Sequence, residues 1–151
     1  MPKESDQCLI CQRIEFIKQG KNPDLIKELK TGYAVLGWHQ YFKGYCLLLY
    51  KEHKTELHQL SQKTRAKFLQ EMALLAEAVY KTFRPDKLNY ELLGNGEVHM
   101  HWHIFPRCKT DLMPNQAIWV VDKKIRQAKQ YLPNREQKQK LITAIRKNLN
   151  T

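Results

Sequence analysis

The sequence contains no apolar run long enough to cross a membrane. Its longest apolar stretch is Tyr45–Tyr50, whereas a membrane-spanning helix needs roughly 18 or more consecutive apolar residues. The opening segment Met1–Gln7 carries mixed charge and lacks the apolar centre of a secretory signal peptide. These two absences predict a soluble protein of the cytoplasm that has no membrane partner.

Cysteine is also scarce, with four residues among 151. Four cysteines are too few for a disulfide-stapled scaffold in a chain of this length. Hydrophobic residues make up 42% and charged residues 27% of the chain, which is typical of globular proteins. No internal repeat or low-complexity tract occurs, so the length indicates one domain with a buried core.

Acidic residues are few relative to basic ones, because 15 Asp and Glu oppose 26 Lys and Arg and leave a net charge of +11. Nine of the basic residues and a single Glu lie between Lys123 and Thr151. Such a surface attracts phosphates and other polyanions. No zinc-finger, RNP or helix-turn-helix signature accompanies the charge. We therefore expect a solvated basic tail of unassigned role, with only weak or non-specific nucleic-acid binding.

Hydrophobic periodicity and turn residues divide the chain into helices and strands. Apolar residues at helical spacing follow Ser61, which predicts a long amphipathic helix that must end before Pro85. Shorter helices are expected at Cys8–Lys18, from the Asn22-Pro23 pair to about Leu29, and at about 123–131 and 135–149.

Short apolar runs and alternating patterns predict the strands, which are Tyr33–Leu36, Tyr45–Tyr50, Leu88–Leu92, Glu97–Phe105 and a strand-like piece at Ala117–Val121. The glycine-rich sequence at positions 94–96 is typical of a tight turn. It would join the third and fourth strands into an antiparallel hairpin that ends at Pro106. Strands combined with one long helix and a hairpin indicate an α+β domain.

Three histidines at alternate positions carry the strongest chemical signal. His99, His101 and His103 are separated by single apolar residues. On a strand their imidazoles would share one face at a spacing of about 7 Å, while the residues between them pack into the core. Core packing alone does not explain three titratable groups in this pattern, so we interpret them as functional.

Two interpretations of the three histidines compete. All three could bind one metal ion in a metal-dependent enzyme. Such sites normally add a carboxylate ligand, whereas Phe105, Pro106 and Arg107 follow here and Arg107 would repel a dication. Alternatively, the middle imidazole attacks phosphorus while its neighbours fix its tautomer and meet the leaving group.

The segment from His99 to Phe105 resembles the His-φ-His-φ-His-φ-φ signature of the histidine triad (HIT) superfamily of nucleotide hydrolases and transferases. The segment Gly44–His53 resembles the strand and Lys-x-His segment of the same family, and order and spacing agree from about Cys8 to Arg107. The resemblance implies a HIT-like catalytic domain over residues 1–113 with an antiparallel sheet of about five strands and one long helix packed on it. Residues 114–151 would form a basic, mostly helical extension of the same domain, which places extra helices at both termini.

The resemblance also implies a reaction. His101 would attack the α-phosphorus of a nucleoside phosphate anhydride or phosphoramidate, such as a dinucleoside polyphosphate, and water would release a nucleoside monophosphate. His99 would complete the triad, and His103 and Asn95 would contact the phosphate. Because the transferase branch carries Gln in place of the last histidine, His103 favours hydrolysis. A nucleotide- or nucleic-acid-binding module without turnover and a nucleotidyltransferase remain the alternatives.

Several HIT proteins hold a structural zinc ion, and the resemblance implies that its ligands here are Cys8, Cys11, His53 and His99. The alternative is that the two cysteines are buried thiols and the histidine of the Lys-x-His segment is a surface residue. No organic cofactor is implied. Relatives that form homodimers by joining their sheets edge to edge lead us to expect a homodimer.

The chain departs from the family pattern around the substrate. Tyr45 stands where many members have a fourth histidine, and Trp38 lies where an Asn or Asp would meet the ribose. The loop before the triad lacks a Gly-Gln pair, and Glu97 would repel a phosphate unless it points away. The remaining histidines outside the triad and the zinc set, His39 and His58, are expected to be ordinary polar residues.

Overall fold

The computed structural model of the chain describes residues 7–150. A five-stranded antiparallel sheet has the order β1-β2-β3-β5-β4. The strands are β1 Leu25–Glu28, β2 Gly32–Leu36, β3 Cys46–Tyr50, β4 Lys87–Glu91 and β5 His101–Arg107. The helices are α1 Leu9–Lys18, α2 Gln62–Phe83, α3 Lys123–Arg126 and α4 Arg135–Asn148. The predicted α+β fold class, with a long helix on the sheet and further helices near both ends, is confirmed. None of the described helices combines the length and apolar character needed to span a membrane.

The long helix α2 covers one face of the sheet. Ser61 caps its start by accepting a hydrogen bond from the Thr64 N–H at 3.2 Å, and the chain leaves the helix at Arg84, which adopts φ 49°. The buried stripe of α2 packs with the side chains of β2, β3 and β5 that face it. This helix follows the sequence prediction closely because its cap, its apolar period and Pro85 are all local signals.

The helix α4 belongs to the same core as α2. Ile142 and Ile145 of α4 are fully buried in the cluster that α2 forms with the sheet. The guanidinium Nε of Arg146 donates to the Ile26 carbonyl of β1 at 2.8 Å. One turn before Ile142, Lys138 forms an ion pair with Asp24 at 2.8 Å. Two of the basic residues of α4 therefore attach this helix to β1 and the segment before it.

The opposite face of the sheet carries α1 and the residues that position the histidines. Ile10, Ile14 and Ile17 of α1 pack in a second cluster with side chains of β2, β3 and β5. Phe42 and Ile118, from two irregular segments, complete this cluster. The sheet thus has a buried hydrophobic cluster on each face, one with α2 and α4 and one with α1.

The predicted helix from Asn22 to Leu29 is wrong, because residues 25–28 form the edge strand β1. The Asn22 side chain accepts a hydrogen bond from the Asp24 N–H at 2.8 Å, which closes a local turn. Ile26 is then buried between more exposed neighbours, and the segment pairs with β2. The Asn-Pro pair is a local signal for the start of a helix, and pairing with β2 overrides it.

The predicted hairpin is only partly correct. β4 and β5 do pair antiparallel, but residues 92–100 form the connection and β5 begins at His101. The backbone of Met100 instead bonds to the segment after β3, since its N–H donates to the Lys54 carbonyl at 2.8 Å. Pro106 does not end the strand. It pairs with Leu88 of β4. The pairing of β5 with β3 ends at Ile104, so β5 has a neighbour on one side only at Pro106, and a proline is tolerated at such an open edge.

Two predictions for the tail also need correction. The strand-like piece at Ala117–Val121 contains a 3-10 turn at Ile118–Val120, because burial recurs at Ile118 and Val121 and not at alternate positions. The helix expected at about 123–131 is interrupted after α3 and followed by a second 3-10 turn at Lys129–Tyr131. The Tyr131 carbonyl accepts from the Gln40 N–H at 2.8 Å, which ties this segment to the loop after β2.

Candidate functional site

His101 and His103 lie side by side on the α1 face of β5. They pair with Leu49 and Leu47 of the neighbouring strand β3. Their ring centroids are 4.7 Å apart and the rings meet edge to face. The alternation of the sequence therefore does place these two imidazoles on one face, and we refer to them as the histidine pair.

The geometry of His101 fixes which ring nitrogen is available. Its Nδ1 lies 2.6 Å from the backbone carbonyl of His99, and a carbonyl can only accept, so Nδ1 carries the proton and Nε2 presents a lone pair. Burial is the main cause that lowers the pKa of His101, and the charge of Arg13 acts in the same direction. A neutral imidazole with a free Nε2 is the form that acts as a nucleophile.

His103 is oriented by Tyr45. The tyrosine Oη lies 2.7 Å from Nδ1 of His103, and burial raises the pKa of the tyrosine so that it keeps its proton. Burial also lowers the pKa of His103 to about 3. A phenol that keeps its proton can donate to Nδ1 of a neutral imidazole, and this leaves the ring proton of His103 on Nε2 as a donor.

His99 also lies on the α1 side of the sheet, but it precedes β5 and its ring nitrogens have partners of their own. Its Nε2 lies 2.7 Å from the Tyr50 carbonyl, and its Nδ1 lies 3.5 Å from the Cys8 Sγ and 3.4 Å from the Cys11 Sγ. Both ring nitrogens are thus directed away from His101. Among the described residues, the three histidines do not converge on one point, so the interpretation as a three-histidine metal centre is wrong.

Cys8, Cys11, His53 and His99 form one compact group, which we call the Cys/His cluster. Their ligand atoms all lie within 4.8 Å of one another. Three of its sulfur-to-nitrogen distances are 3.3–3.5 Å. A tetrahedral metal ion with bonds of about 2.3 Å to sulfur and about 2.0 Å to nitrogen separates its ligands by about 3.5 Å. The cluster therefore has the dimensions needed to hold a metal ion.

The local structure around α1 assembles this cluster. Cys8 is the N-cap of α1, and its Sγ accepts from the Cys11 N–H at 3.4 Å. A hydrogen bond from His99 Nε2–H to the Tyr50 carbonyl orients the ring and leaves Nδ1 unprotonated for a metal. The cluster joins α1 to the segments before β5 and after β3, which are distant in sequence.

A cavity of about 370 Å³, which we call the aromatic cavity, opens beside His103 and is lined by residues that include Trp38, His39, Tyr45 and Trp119. Several large apolar side chains remain exposed around it, namely Leu9, Trp38, Trp119 and Leu132. Two guanidinium groups stack on its indoles, with Arg13 5.3 Å from the Trp38 ring and Arg126 5.1 Å from the Trp119 ring. Exposed apolar surface beside cations suits a planar, negatively charged ligand.

His39 is a wall residue of the aromatic cavity and not the ordinary polar residue expected from sequence. It is 6% exposed, and burial together with the charge of Arg126 lowers its pKa to about 4. Its Nδ1 is shielded from solvent and has no hydrogen-bond partner among residues 7–150. Its ring lies 5.2 Å from that of Tyr45. No local signal distinguishes it from a surface histidine.

A second depression of about 660 Å³, the polar groove, lies on the other side of the histidine pair. His101 lines it together with Thr55, His58, Arg65 and Asn95. Asn95 therefore lies in the same depression as His101. Glu97, which precedes β5, lines the aromatic cavity with His103. Its negative charge opposes the lowering of the His101 pKa, so this carboxylate does not point away from the histidines.

Several of these residues have no recognisable signal in the sequence. Trp119 contacts the His103 ring at a centroid distance of 5.9 Å, and it comes from a segment expected to be an extension of unassigned role. Arg13 lies on α1 and reaches the cavity only because α1 packs against the sheet. Tyr45 did carry a signal, since it stands where the resemblance implies a fourth histidine.

Comparisons with known proteins identify the fold. The family model of the HIT domain matches residues 20–110. A search of the curated proteins returned no match. Among solved structures, a histidine triad (HIT) protein from Sinorhizobium meliloti 1021 is 19% identical with a TM-score of 0.76, over 97% of this chain and 100% of that chain.

Two other solved structures carry informative names. A Zn-bound histidine triad family protein from Mycobacterium smegmatis is 21% identical with a TM-score of 0.65, over 97% of each chain. A diadenosine triphosphate hydrolase from Plasmodium falciparum, in complex with cyclomarin A, is 15% identical with a TM-score of 0.62, over 83% of this chain and 75% of that chain. At these identities the likeness establishes a common fold.

Proposed function

Because the chain belongs to the HIT family, we propose that it is a hydrolase that cleaves a nucleoside phosphate anhydride or phosphoramidate and releases a nucleoside monophosphate. The observation that carries this proposal is the state of His101. This imidazole is 7% exposed, and its Nδ1 is bonded to the His99 carbonyl at 2.6 Å. Within residues 7–150 its Nε2 has no hydrogen-bond partner, and the ring lines the polar groove. These features support a role as nucleophile.

The proposed reaction has two displacements at the same phosphorus. His101 Nε2 attacks the α-phosphorus, the bond from phosphorus to the leaving oxygen or nitrogen breaks, and a nucleotidyl-histidine forms. Water then attacks this phosphorus and releases a proton to the solvent as the phosphorus–nitrogen bond breaks. The nucleoside monophosphate leaves, and His101 regains its lone pair.

The neighbouring residues have distinct proposed roles. His103 donates from Nε2 to a phosphate oxygen, and Tyr45 holds it in that tautomer. Asn95 contacts the phosphate from the loop before β5. The aromatic cavity takes the nucleoside, because indole rings and neighbouring guanidinium groups bind planar bases and attract nucleotides. A histidine at position 103 supports hydrolysis over nucleotidyl transfer.

We propose that the Cys/His cluster holds a structural zinc ion. Four ligands close the coordination sphere, and paired thiolates with imidazoles favour zinc over hard cations. The sulfur-to-nitrogen distances of 3.3–3.5 Å support this choice, as does the Zn-bound relative from Mycobacterium smegmatis. The ion would supply folding energy and no chemistry, because no ligand position remains for substrate. Cysteines that form no disulfide also suit the reducing cytoplasm.

We further propose a homodimer. The outer edge of β1 is covered by Arg146, which donates to the Ile26 carbonyl. The other outer strand of the sheet is β4. Tyr90 on β4 is exposed, which suits pairing of β4 with a second copy. Light scattering should give twice the mass of the chain.

Trapping of the covalent intermediate tests the proposed function. The protein is mixed with a panel of dinucleoside polyphosphates and nucleoside phosphoramidates, quenched rapidly and analysed by mass spectrometry. We expect a nucleotidyl adduct on His101 and release of the nucleoside monophosphate. Tight binding of these compounds with neither adduct nor turnover would instead support a binding module, and transfer of the nucleotidyl group to a phosphate acceptor would support a transferase.

A further inference from the structure

The histidine pair lies between two depressions of opposite character. His103 lines the aromatic cavity and His101 lines the polar groove, and their ring centroids are 4.7 Å apart. A phosphorus atom in contact with His101 Nε2 therefore lies in the polar groove, next to the histidine that lines the aromatic cavity. Of the groups that this phosphorus carries, one extends into indole-lined space and the other into polar space.

We propose that the polar groove binds the leaving part of the substrate as an anionic phosphate chain, and that Arg65 selects this leaving group. This inference rests on the proposed function and assigns its substrate class. The enzyme would prefer a nucleoside polyphosphate, whose leaving group is itself a phosphate, over a phosphoramidate, whose leaving group is an amine.

The strongest support comes from the contacts of Arg65. Its side chain is half-buried and lines the groove with His101. Within residues 7–150, its guanidinium forms no ion pair and no hydrogen bond. Other arginines of the protein are engaged, such as Arg107, which bonds to Asp111, and Arg146, which bonds to the backbone of β1. A partly desolvated guanidinium without a partner is suited to an external anion.

The surroundings of Arg65 favour the same ligand. It lies in the first turn of α2, where the aligned peptide dipoles add positive potential. His58 and Asn95 offer further donors in the groove. The groove contains one carboxylate, Glu56, which belongs to the capping box of the 3-10 turn Leu57–Gln59. Arg65 and Glu56 balance in formal charge, so the helix dipole and the neutral donors are what favour an anion beside the nucleophile.

The role of Arg65 follows from where charge develops. When a phosphoanhydride bond breaks, the leaving oxygen gains negative charge, and a guanidinium beside it stabilises the transition state. When a phosphorus–nitrogen bond breaks, the leaving amine takes up a proton and gains no negative charge. Loss of Arg65 should therefore harm one class of substrate and spare the other.

The test compares two substrates that share a nucleoside monophosphate, a dinucleoside triphosphate and a phosphoramidate with a small neutral amine. In Arg65→Ala, kcat/KM should fall about 10- to 50-fold for the triphosphate and stay within about twofold for the phosphoramidate. Arg65→Lys should recover part of the loss. The control is Lys67→Ala, which also removes one positive charge from α2. Lys67 lines a separate surface depression with Lys30 and Thr31.

A binding measurement separates this inference from the proposed function. Calorimetric titration with inorganic tripolyphosphate should give an affinity that Arg65→Ala weakens at least fivefold and Lys67→Ala leaves unchanged. If the protein hydrolyses neither substrate yet shows this dependence, the proposed function fails and the groove assignment stands. If Arg65→Ala affects both substrates equally, or leaves tripolyphosphate binding unchanged while turnover persists, the groove assignment is overturned and the hydrolase proposal stands.

Discussion

The Cys/His cluster and the histidine pair lie on either side of Met100 and use the same type of side chain differently. His99 is 0% exposed, and both of its ring nitrogens are directed at internal partners. His101 has one ring nitrogen bonded to the backbone, and the other has no partner in the described part of the chain and lies beside the polar groove. A histidine with both nitrogens engaged contributes to structure, whereas one with a single engaged nitrogen keeps a group for chemistry.

The backbone at Met100 produces this division. Its N–H donates to the Lys54 carbonyl at 2.8 Å, and its carbonyl accepts from the Tyr50 N–H at 3.1 Å. These bonds keep residues 97–100 out of the β4–β5 ladder and direct His99 towards α1. Histidines at alternate positions of a sequence therefore need not belong to one site. Variants on each side of Met100 should consequently separate stability from turnover.

Replacement of His101 should give the largest effect. His101→Ala removes the nucleophile, so kcat should fall at least about a thousandfold. The melting temperature and the metal content should change little, because the Cys/His cluster stays intact. Steady-state kinetics, calorimetry and metal analysis on one preparation test all three points. Near wild-type activity in His101→Ala, with activity lost in His99→Ala, would reverse the assigned roles.

Replacement of Cys8 should affect the other region. Purified protein should contain about one zinc ion per chain, and Cys8→Ser should release it. Because structural zinc contributes folding free energy directly, we expect the melting temperature to fall by about 10 °C. Cys46→Ser, a buried cysteine outside the cluster, is the matched control and should keep the metal. A zinc content near zero in fully reduced wild-type protein contradicts the assignment.

Replacement of Tyr45 should refine the description of the histidine pair. Tyr45→Phe removes the partner of His103 Nδ1 and retains the stacked ring, so kcat should fall about tenfold with little change in KM. Tyr41→Phe serves as the control, since Tyr41 packs edge to face against Phe42 and Tyr131 in the neighbouring loop. Equal kinetics in the two variants would mean that the phenol does not position His103.

His39 extends the comparison to stability as a function of pH. Burial lowers its pKa to about 4 in the folded state, whereas the unfolded value is about 6.5. The unfolded chain therefore binds more protons between these values, and stability is lost as the pH falls below about 6.5. In urea unfolding between pH 7 and pH 5, wild type should lose about 1–2 kcal/mol more than His39→Gln. The exposed His58, changed to Gln, is the control, and equal losses in all three proteins would contradict this account.

Local signals were sufficient for some parts of the structure and not for others. The helix α2 and the strands β2 and β3 were predicted because caps, glycines and apolar periods are read within a few residues. The strand β1 was missed because its pairing with β2 and its contact with Arg146 are tertiary. Family resemblance suggested the members of the Cys/His cluster, since no spacing rule links Cys8 to His53 and His99. The roles of His39 and Trp119 depend on segments that meet only in the folded chain.

The bond from Arg146 to the Ile26 carbonyl has a consequence for the rate of folding. It joins residues 120 positions apart, and α4 places Ile142 and Ile145 into the same core as β1. The β1–β2 hairpin can form early because its contacts are local, but its outer edge stays uncovered until α4 docks. Contacts this distant in sequence slow the search for the native state. During synthesis, β1 would leave the ribosome well before α4, and until then the exposed edge of this hairpin would be the part of the nascent chain most prone to mispairing.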